Sequence, residues 1–487
     1  MTVLVVFCII LFFYYLVQCF KISSRYPPGP VSLPIIGNLM SVLLDLKKFK
    51  CHHAVWQAWA RKYGNIIGLR LGFVNVVVVS GRDLIKEVSF RDVFEGRPDG
   101  FFYTMRSFGK KLGIVFSDGS TWNKTRRFVL KYLKSFGYNS RLMDSYIAEE
   151  CRALVKLREK DSGKPILVND MFHITIVNIL WRLVAGVRYD LEDVRLKKLC
   201  VLITRLFKAV DMSGGVLNFM PFLRHIIPDY IGYTQLKYIH RTLHEFLAVI
   251  KSWLTINRPS ITIVPFIITN LTPKVFAQPV TYEELQVVCL DLLEAGMETV
   301  SNTAAFMLLH IVRNEFIQKK LYEEINTVIG LNRNPALTDR TRMAYTEAVL
   351  LETLRISSVA AMGIPHMALE DAQLSKYIIP KGTFILLSLY DVHNGSHWKD
   401  PDVFKPERFL TKDGNLIQDD WLMPFGIGKR RCIGEGLARA ELFMFVTHIL
   451  QKFHLKIPDG DPIPSTEPVD GLSLSVKPFR IIFEPRM

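Results

Sequence analysis

The sequence predicts a mainly α body with a small β part, tethered by one N-terminal membrane-spanning helix. Three observations carry that expectation. Residues 3 to 20 form an apolar run, VLVVFCIILFFYYLVQCF, in which only Gln18 is strongly polar. Residues 120 to 250 and 281 to 330 read mostly as helices. Short β-rich runs with turn residues occupy 66 to 79 and 377 to 390, and the closing segment has β character.

The elements follow in chain order. At 1.5 Å per residue, 18 helical residues span roughly 27 Å, close to the hydrocarbon thickness of a bilayer. A cleaved signal peptide would want a positive region before its apolar core. Nothing basic precedes this run, and Lys21 and Arg25 follow it, which keeps the body cytosolic. Residues 1 to 20 are therefore expected to anchor the chain in a membrane. Residues 21 to 47 form a proline-rich hinge through which the chain enters the body. Within it Tyr26 to Pro30, YPPGP, holds three prolines that fix φ and give a stiff spacer.

The body, 48 to 487, is long enough for two ordinary cores or one unusually large one. A helix is expected over 48 to 64, ending at Gly64. A hairpin follows over 66 to 79, turning at Gly-Phe-Val-Asn. The helices of 120 to 250 break near Gly137, Gly186 and Gly214-Gly215. Long helices cover 281 to 313 and 314 to 330, strands flank a Pro-Lys-Gly turn in 377 to 390, and a last helix starts near Ile433. Segment 246 to 282 contains no Asp or Glu, where a charged loop between helices is the ordinary expectation. Its run ITIVPFIITNL suits contact with lipid or marks an atypical connection.

The net charge is +15 and the isoelectric point about 9.4. The cations are dispersed and not interleaved with stacking aromatics, so no nucleic acid is expected. Anionic lipid or an acidic protein partner remains. The seven cysteines, Cys8, Cys19, Cys51, Cys151, Cys200, Cys289 and Cys432, are odd in number, widely spaced and free of any C-x-x-C. That excludes a disulfide framework and suits a reducing compartment.

One of the seven stands apart. Cys432 lies in FGIGKRRCIG, residues 425 to 434, between glycines and beside three cations. It is a core cysteine, half of a disulfide, or a metal ligand. The pattern F-x-x-G-x-R-x-C-x-G is met by Phe425, Gly428, Arg430, Cys432 and Gly434. The glycines allow tight turns and close approach of a flat group. A following helix aims its positive end at the sulfur, and Arg430 can pair with a carboxylate. This stretch resembles the haem-binding loop of the cytochrome P450 superfamily. The similarity runs along nearly the whole chain and is closest to microsomal animal members, with insect-like texture in GIGKRRCIGEGLARAELF. The resemblance implies the P450 fold plus the anchor helix, held in the endoplasmic reticulum membrane. It also implies haem b with Cys432 as axial thiolate.

Four further stretches bear on it. In LLETLRIS, Glu352 and Arg355 by themselves suit an ordinary i,i+3 surface pair. With Arg408 of FKPERF, the resemblance makes them a buried structural triad. In WNKTR, Trp122 and Arg126 share one helical face, as a boundary tryptophan beside a surface arginine would. The resemblance makes them haem-propionate partners, together with Arg97, His366 and Arg430, and places Phe425 against the cofactor. In LEAGMETVSNTA, Glu298 and Thr299 form an acid–alcohol pair beside Ala295 and Gly296. A threonine there can simply bond back to the i−4 carbonyl. In the family such a pair opens a groove for O2 and delivers protons. Val300 stands where the family usually has Thr or Ser, which leaves the local water network in doubt. Finally, Lys124, Arg127, Lys131, Lys134, Lys429 and Arg431 are either a solvated face or a docking patch for an acidic electron-transfer protein.

The function implied is that of an oxidoreductase acting on paired donors with incorporation of O2. It inserts one oxygen atom into a lipophilic small molecule, such as a sesquiterpenoid or steroid hormone or a xenobiotic. Electrons come from NADPH through a flavoprotein reductase on the basic proximal face. Phe101, Ala295, Val359 and Met362 fall in the expected substrate pocket, and 216 to 230 in a membrane-touching rim. The alternatives are a haem-thiolate isomerase or peroxygenase that needs no reductase, and a non-catalytic haem-binding protein.

Overall fold

One helix organises the rest. Tyr282–Val312 runs unbroken for 31 residues and is buried along nearly its whole length. The Thr281 hydroxyl accepts the Glu284 N–H at its start, and Glu283 and Glu284 occupy the first turn, at the positive end of the helix dipole. A helix apolar on every face belongs in a core, and this one packs against His173–Ala185, Ala344–Ser357 and Glu435–Lys452. Gly296 permits the closest of these approaches: a Cβ there would stand 2.6 Å from Leu180 Cδ1.

The structure, a computed structural model, describes Phe7 and residues 25–135, 141–257 and 281–486. It is mainly helical, as the sequence predicts. The anchor expected over 1 to 20 lies, Phe7 apart, outside the described residues, as do Gly137 and 258–280 of the acid-free segment. Among the described residues no helix is long and apolar enough to cross a membrane. Residues 246 to 257 belong to the helix Tyr233–Asn257.

Most local expectations hold, with instructive shifts. The helix of 48 to 64 is two helices: Leu39–Phe49 ends at Lys50 in a left-handed turn, and His52–Tyr63 ends at Gly64. The first of them crosses residue 47, where the hinge was expected to end. The chain breaks at Gly186 (φ +68°) and at Gly214 and Gly215 (φ +82° and +57°). The hairpin pairs Ile66–Leu71 with Val74–Val79 and turns at Gly72-Phe73, so Val74 and Asn75 are strand residues. Phe384–Leu387 joins Val74–Val79 in parallel, and His366–Met367 closes this four-stranded sheet. The strands on either side of the Pro-Lys-Gly turn thus have different partners, since Tyr377–Ile379 pairs with Ala372–Leu374. A second, three-stranded sheet joins Pro165–Leu167, Arg480–Pro485 and Phe453–Lys456.

Two of the apolar cores among the described residues share the central helix. One lies under the larger sheet and takes Leu285, Val288, Leu290, Leu293 and Met297 from the central helix. The other takes Val300 and the run from Ala304 to Val312. The change of core falls at Glu298 and Thr299.

Candidate functional site

The Cys432 loop is closed on itself by the Cys432 N–H, which donates to the Phe425 carbonyl at 2.9 Å. Its short turn Gly428–Arg430 crosses the end of the helix Arg82–Phe90. Gly428 has φ +73°, and a Cβ there would meet the Ser89 carbonyl oxygen at 2.1 Å, so only glycine fits. Upstream, the Met423 N–H donates to His393 Nε2 at 3.1 Å, and His393 Nδ1 lies 2.7 Å from the Ser358 hydroxyl.

The Cys432 side chain is exposed although protein packs closely around its sulfur. Ala295 is likewise exposed, midway along the buried central helix. The N–H groups of Gly434 and Glu435, at the start of Glu435–Lys452, reach the sulfur. They and Arg126 favour a thiolate, but burial outweighs them and pushes the thiol above its ordinary value. A metal cation bound at the sulfur would favour the thiolate further.

The five expected carboxylate partners come together. The Arg430 guanidinium stacks 3.7 Å over the Trp122 ring, and Arg126 lies 5.5 Å from the same ring. Burial lowers the Arg430 pKa to about 10. Burial and then Arg430 push Arg97 well below its ordinary value. Burial holds His366 at about 3, with Arg97 and Arg430 adding to it. Several of their donors are engaged. Arg97 donates to the carbonyls of Val115, Ile364 and Pro365, and Arg430 to those of Glu95 and Ser117. His366 Nδ1 meets the Phe94 carbonyl at 2.8 Å. Among the described residues, Trp122 Nε1, Arg97 Nη2 and His366 Nε2 take no partner, and Arg126 has one weak contact at 3.4 Å. Buried cations crowded together with donors to spare fit a dianionic group, and the open sulfur beside them fits iron. The residues present therefore fit haem.

The triad is formed. Glu352 accepts from Arg355 at 2.7 and 2.9 Å, from Arg408 at 2.9 Å and from the Lys405 N–H at 2.8 Å. Glu352 and Arg355 are fully buried. Arg355 also donates to the His393 carbonyl at 2.8 Å, which links the triad to the Cys432 loop through Met423.

The acid and the alcohol of the pair meet different neighbours. The Thr299 hydroxyl donates to the Ala295 carbonyl at 2.6 Å, the i−4 back-bond. Glu298 turns away from it, because adjacent helical positions diverge by about 100°. The Glu298 carboxylate accepts from Thr204 at 3.0 Å and from Asn302 at 3.4 Å, and lies 3.6 Å from His173 Nε2. His173 in turn stands 3.6 Å from Asp170, which is 60% exposed. A chain of ionisable groups thus leads from the surface to Glu298. Sequence reasoning missed His173 and Thr204, which lie far from Glu298 along the chain and carry no motif. It also missed Arg106, buried and paired with Asp291 at 2.6 Å and Glu294 at 2.7 Å. Two acids three apart in an apolar helix were the available signal.

Val359 and Met362 line one small cavity together with Leu472 and Leu474. Phe101 sits elsewhere, under Arg224 at 4.3 Å and against Tyr233. Of the cations, Lys124, Arg127, Lys131 and Lys134 are exposed on the helix Gly119–Ser135. Lys429 and Arg431 are engaged by Asp92 and Glu435.

Comparison with known proteins bears on all of this. Residues 27–483 match the family model of cytochrome P450. The chain is 68% identical over 490 residues to farnesoate epoxidase of Bombyx mori, covering 100% of this chain and 99% of that one. It is 32% identical to the probable cytochrome P450 305a1 of Drosophila melanogaster, with both chains fully covered. It is also 32% identical to cytochrome P450 2D4 of Rattus norvegicus, over 95% of this chain and 94% of the relative. The chain belongs to the cytochrome P450 family and is a P450 monooxygenase.

Proposed function

We propose that this monooxygenase epoxidises a farnesoate-type sesquiterpenoid, at a membrane surface and with electrons from NADPH through a flavoprotein reductase. The observation that carries the reading is the 68% identity, end to end, with an enzyme named for that reaction. Substrate choice depends on the shape of an apolar pocket, and a relative this similar is expected to keep it.

Cys432 would hold haem, which when bound would supply the activation of O2 that sends one oxygen atom to substrate and the other to water. The chain's own residues do the rest. Arg97, Trp122, Arg126, His366 and Arg430 would hold the two carboxylates of haem, the three arginines neutralising their charge. Phe425 and the glycines shape the loop that presents the sulfur. Glu298, with His173 and Asp170 behind it, offers a path by which protons pass from the surface to the central helix that carries Thr299. Ala295 on the central helix and, on a separate wall, Val359 and Met362 would orient the alkene, with Phe101 apart from them under Arg224.

Two surfaces support the partners. Val31, Leu33, Ile35, Met40, Leu43, Leu44, Phe73, Phe222, Ile226 and Ile227 are all exposed. The Phe73 and Phe222 rings lie 6.3 Å apart and bring two of these stretches together. Such an apolar face suits the bilayer from which a sesquiterpenoid partitions, and an anchor over 1 to 20 would hold the body there. The free cations of Gly119–Ser135 suit an acidic reductase.

The test uses the full chain in microsomal membranes with added reductase, NADPH and farnesoate. Mass spectrometry of the products should show an NADPH-dependent species with one added oxygen that opens to a diol in acid. An alcohol in its place overturns the epoxidation. No oxygenated product from protein with an intact reduced carbon-monoxide band overturns the substrate.

A further inference from the structure

Cys51, His53 and Asp470 place one ligand atom each within 4.8 Å of one another, and no residue of this cluster takes part in the haem site. Cys51 is the N-cap residue of His52–Tyr63, and His53 lies in its first turn. Asp470 follows the strand Pro468–Val469, more than 400 residues later in the chain. His53 is only 3% exposed, and its Nδ1 has no hydrogen-bond partner. Its ring lies 4.1 Å from that of Tyr390, which fixes its plane. Asp470 Oδ2 accepts from both His52 Nδ1, at 2.6 Å, and the His52 N–H, at 3.0 Å. Its other oxygen takes no hydrogen bond among the described residues. The Cys51 sulfur has only a long contact, 3.7 Å, to the Pro468 carbonyl. His52, His53, Asp211 and Asp470 line a cavity of about 20 Å³, enough for one water-sized ligand.

We propose that Cys51, His53 and Asp470 form a zinc site. One thiolate, one imidazole and one carboxylate are the donor set of a borderline divalent ion, and the cavity leaves room for a solvent molecule as fourth ligand. Ligands of a tetrahedral zinc with bonds of about 2.0–2.3 Å lie about 3.3–3.8 Å apart, so the three atoms need close in by at most about 1.5 Å on binding. Cys51 gives its thiol proton to water as the sulfur–zinc bond forms. His52, hydrogen-bonded to Asp470 and 3.9 Å from Asp211, orients the ligand carboxylate from outside the metal shell. The ion ties the start of His52–Tyr63 to the segment 468–474. There the Leu474 N–H donates to the Val359 carbonyl at 2.9 Å, and Val359, Met362 and Leu474 line the same cavity. Zinc would therefore brace the wall next to the expected substrate pocket.

The experiment takes the full-length holoenzyme in detergent, strips it with a chelator, loads it with Zn²⁺ and passes it into zinc-free buffer. Elemental analysis counts zinc against haem iron. The expected result is about one zinc per iron. It falls to baseline in Cys51→Ala and His53→Gln and is unchanged in Cys151→Ala, with the reduced carbon-monoxide band intact in all. No retained zinc, or equal zinc in both cluster variants, overturns the site. Should both variants lose the carbon-monoxide band, the zinc-edge absorption spectrum of the wild type decides. It must show one sulfur at about 2.3 Å and nitrogen or oxygen at about 2.0–2.1 Å. No sulfur, or two, overturns the site.

Discussion

Replacing Glu352 by glutamine tests whether the triad works as one unit. The carboxylate is fully buried and accepts from Arg355, Arg408 and the Lys405 N–H. Glutamine has nearly the same shape but no charge, and its amide turns N–H donors toward guanidinium groups that are donors too. Arg355, also fully buried, is then an uncompensated cation. Breaking a buried pair from one side costs about 3–5 kcal/mol. At about 2.1 cal/mol/K per residue, a chain of 487 residues has an unfolding entropy of about 1 kcal/mol/K. The midpoint should therefore fall by about 3–5 °C. Arg408→Ala is milder, because Glu352 keeps Arg355 and the Lys405 N–H. It removes hydrogen bonds to a charged group worth about 1.5–3 kcal/mol, or about 2–3 °C. The assay is thermal loss of the red-shifted reduced carbon-monoxide band in the holoenzyme. That band reports on Cys432, which the triad reaches through His393 and Met423. A Glu352→Gln midpoint within about 1 °C of wild type, or an Arg408→Ala loss that exceeds it, would refute the reasoning.

Cys432→Ser should abolish both the red-shifted band and turnover, and retention of either removes the ligand assignment. Thr299→Ala and Glu298→Gln should keep the band but divert reducing equivalents to peroxide, lowering product per NADPH by at least about tenfold. Unchanged coupling in both would place proton delivery elsewhere. Burial holds His240, His310 and His393 at about 3. Below about 6.5 the unfolded chain binds protons that the folded one refuses, so stability should drop as pH falls from 6.5 toward 3. A denaturation midpoint that stays flat from pH 7 to 5 would contradict that burial. Lys124→Glu with Lys131→Glu should raise the KM for reductase about tenfold at low ionic strength and less at high salt, with the carbon-monoxide band unchanged. A salt-independent effect would argue against charge-steered docking.

What the sequence by itself determined is local. The five-residue pattern around Cys432 set the loop, because tight turns and the close crossing at Ser89 admit only glycine at Gly428. Gly64, Gly186 and Gly214-Gly215 marked chain breaks, since each needs a conformation that side chains disfavour. The hairpin at 66 to 79 was legible because its strands are neighbours in the chain. What only the tertiary structure decided depends on distant partners. Phe384–Leu387 lies parallel to a strand some 300 residues earlier, and no local signal announces a parallel partner. Glu298 and Thr299 read as a pair, yet consecutive helical positions diverge, and Thr204 and His173 on other helices claim the carboxylate. The helix end behind Cys432 suggested a stabilised thiolate, but desolvation is set by everything packed around the sulfur, and it wins. Cys51, His53 and Asp470 carry no motif, and only the fold brings the two ends of the chain together there. Backbone preference and turn chemistry act over a few residues, whereas burial and charge pairing act through space, and that difference divides the two sets.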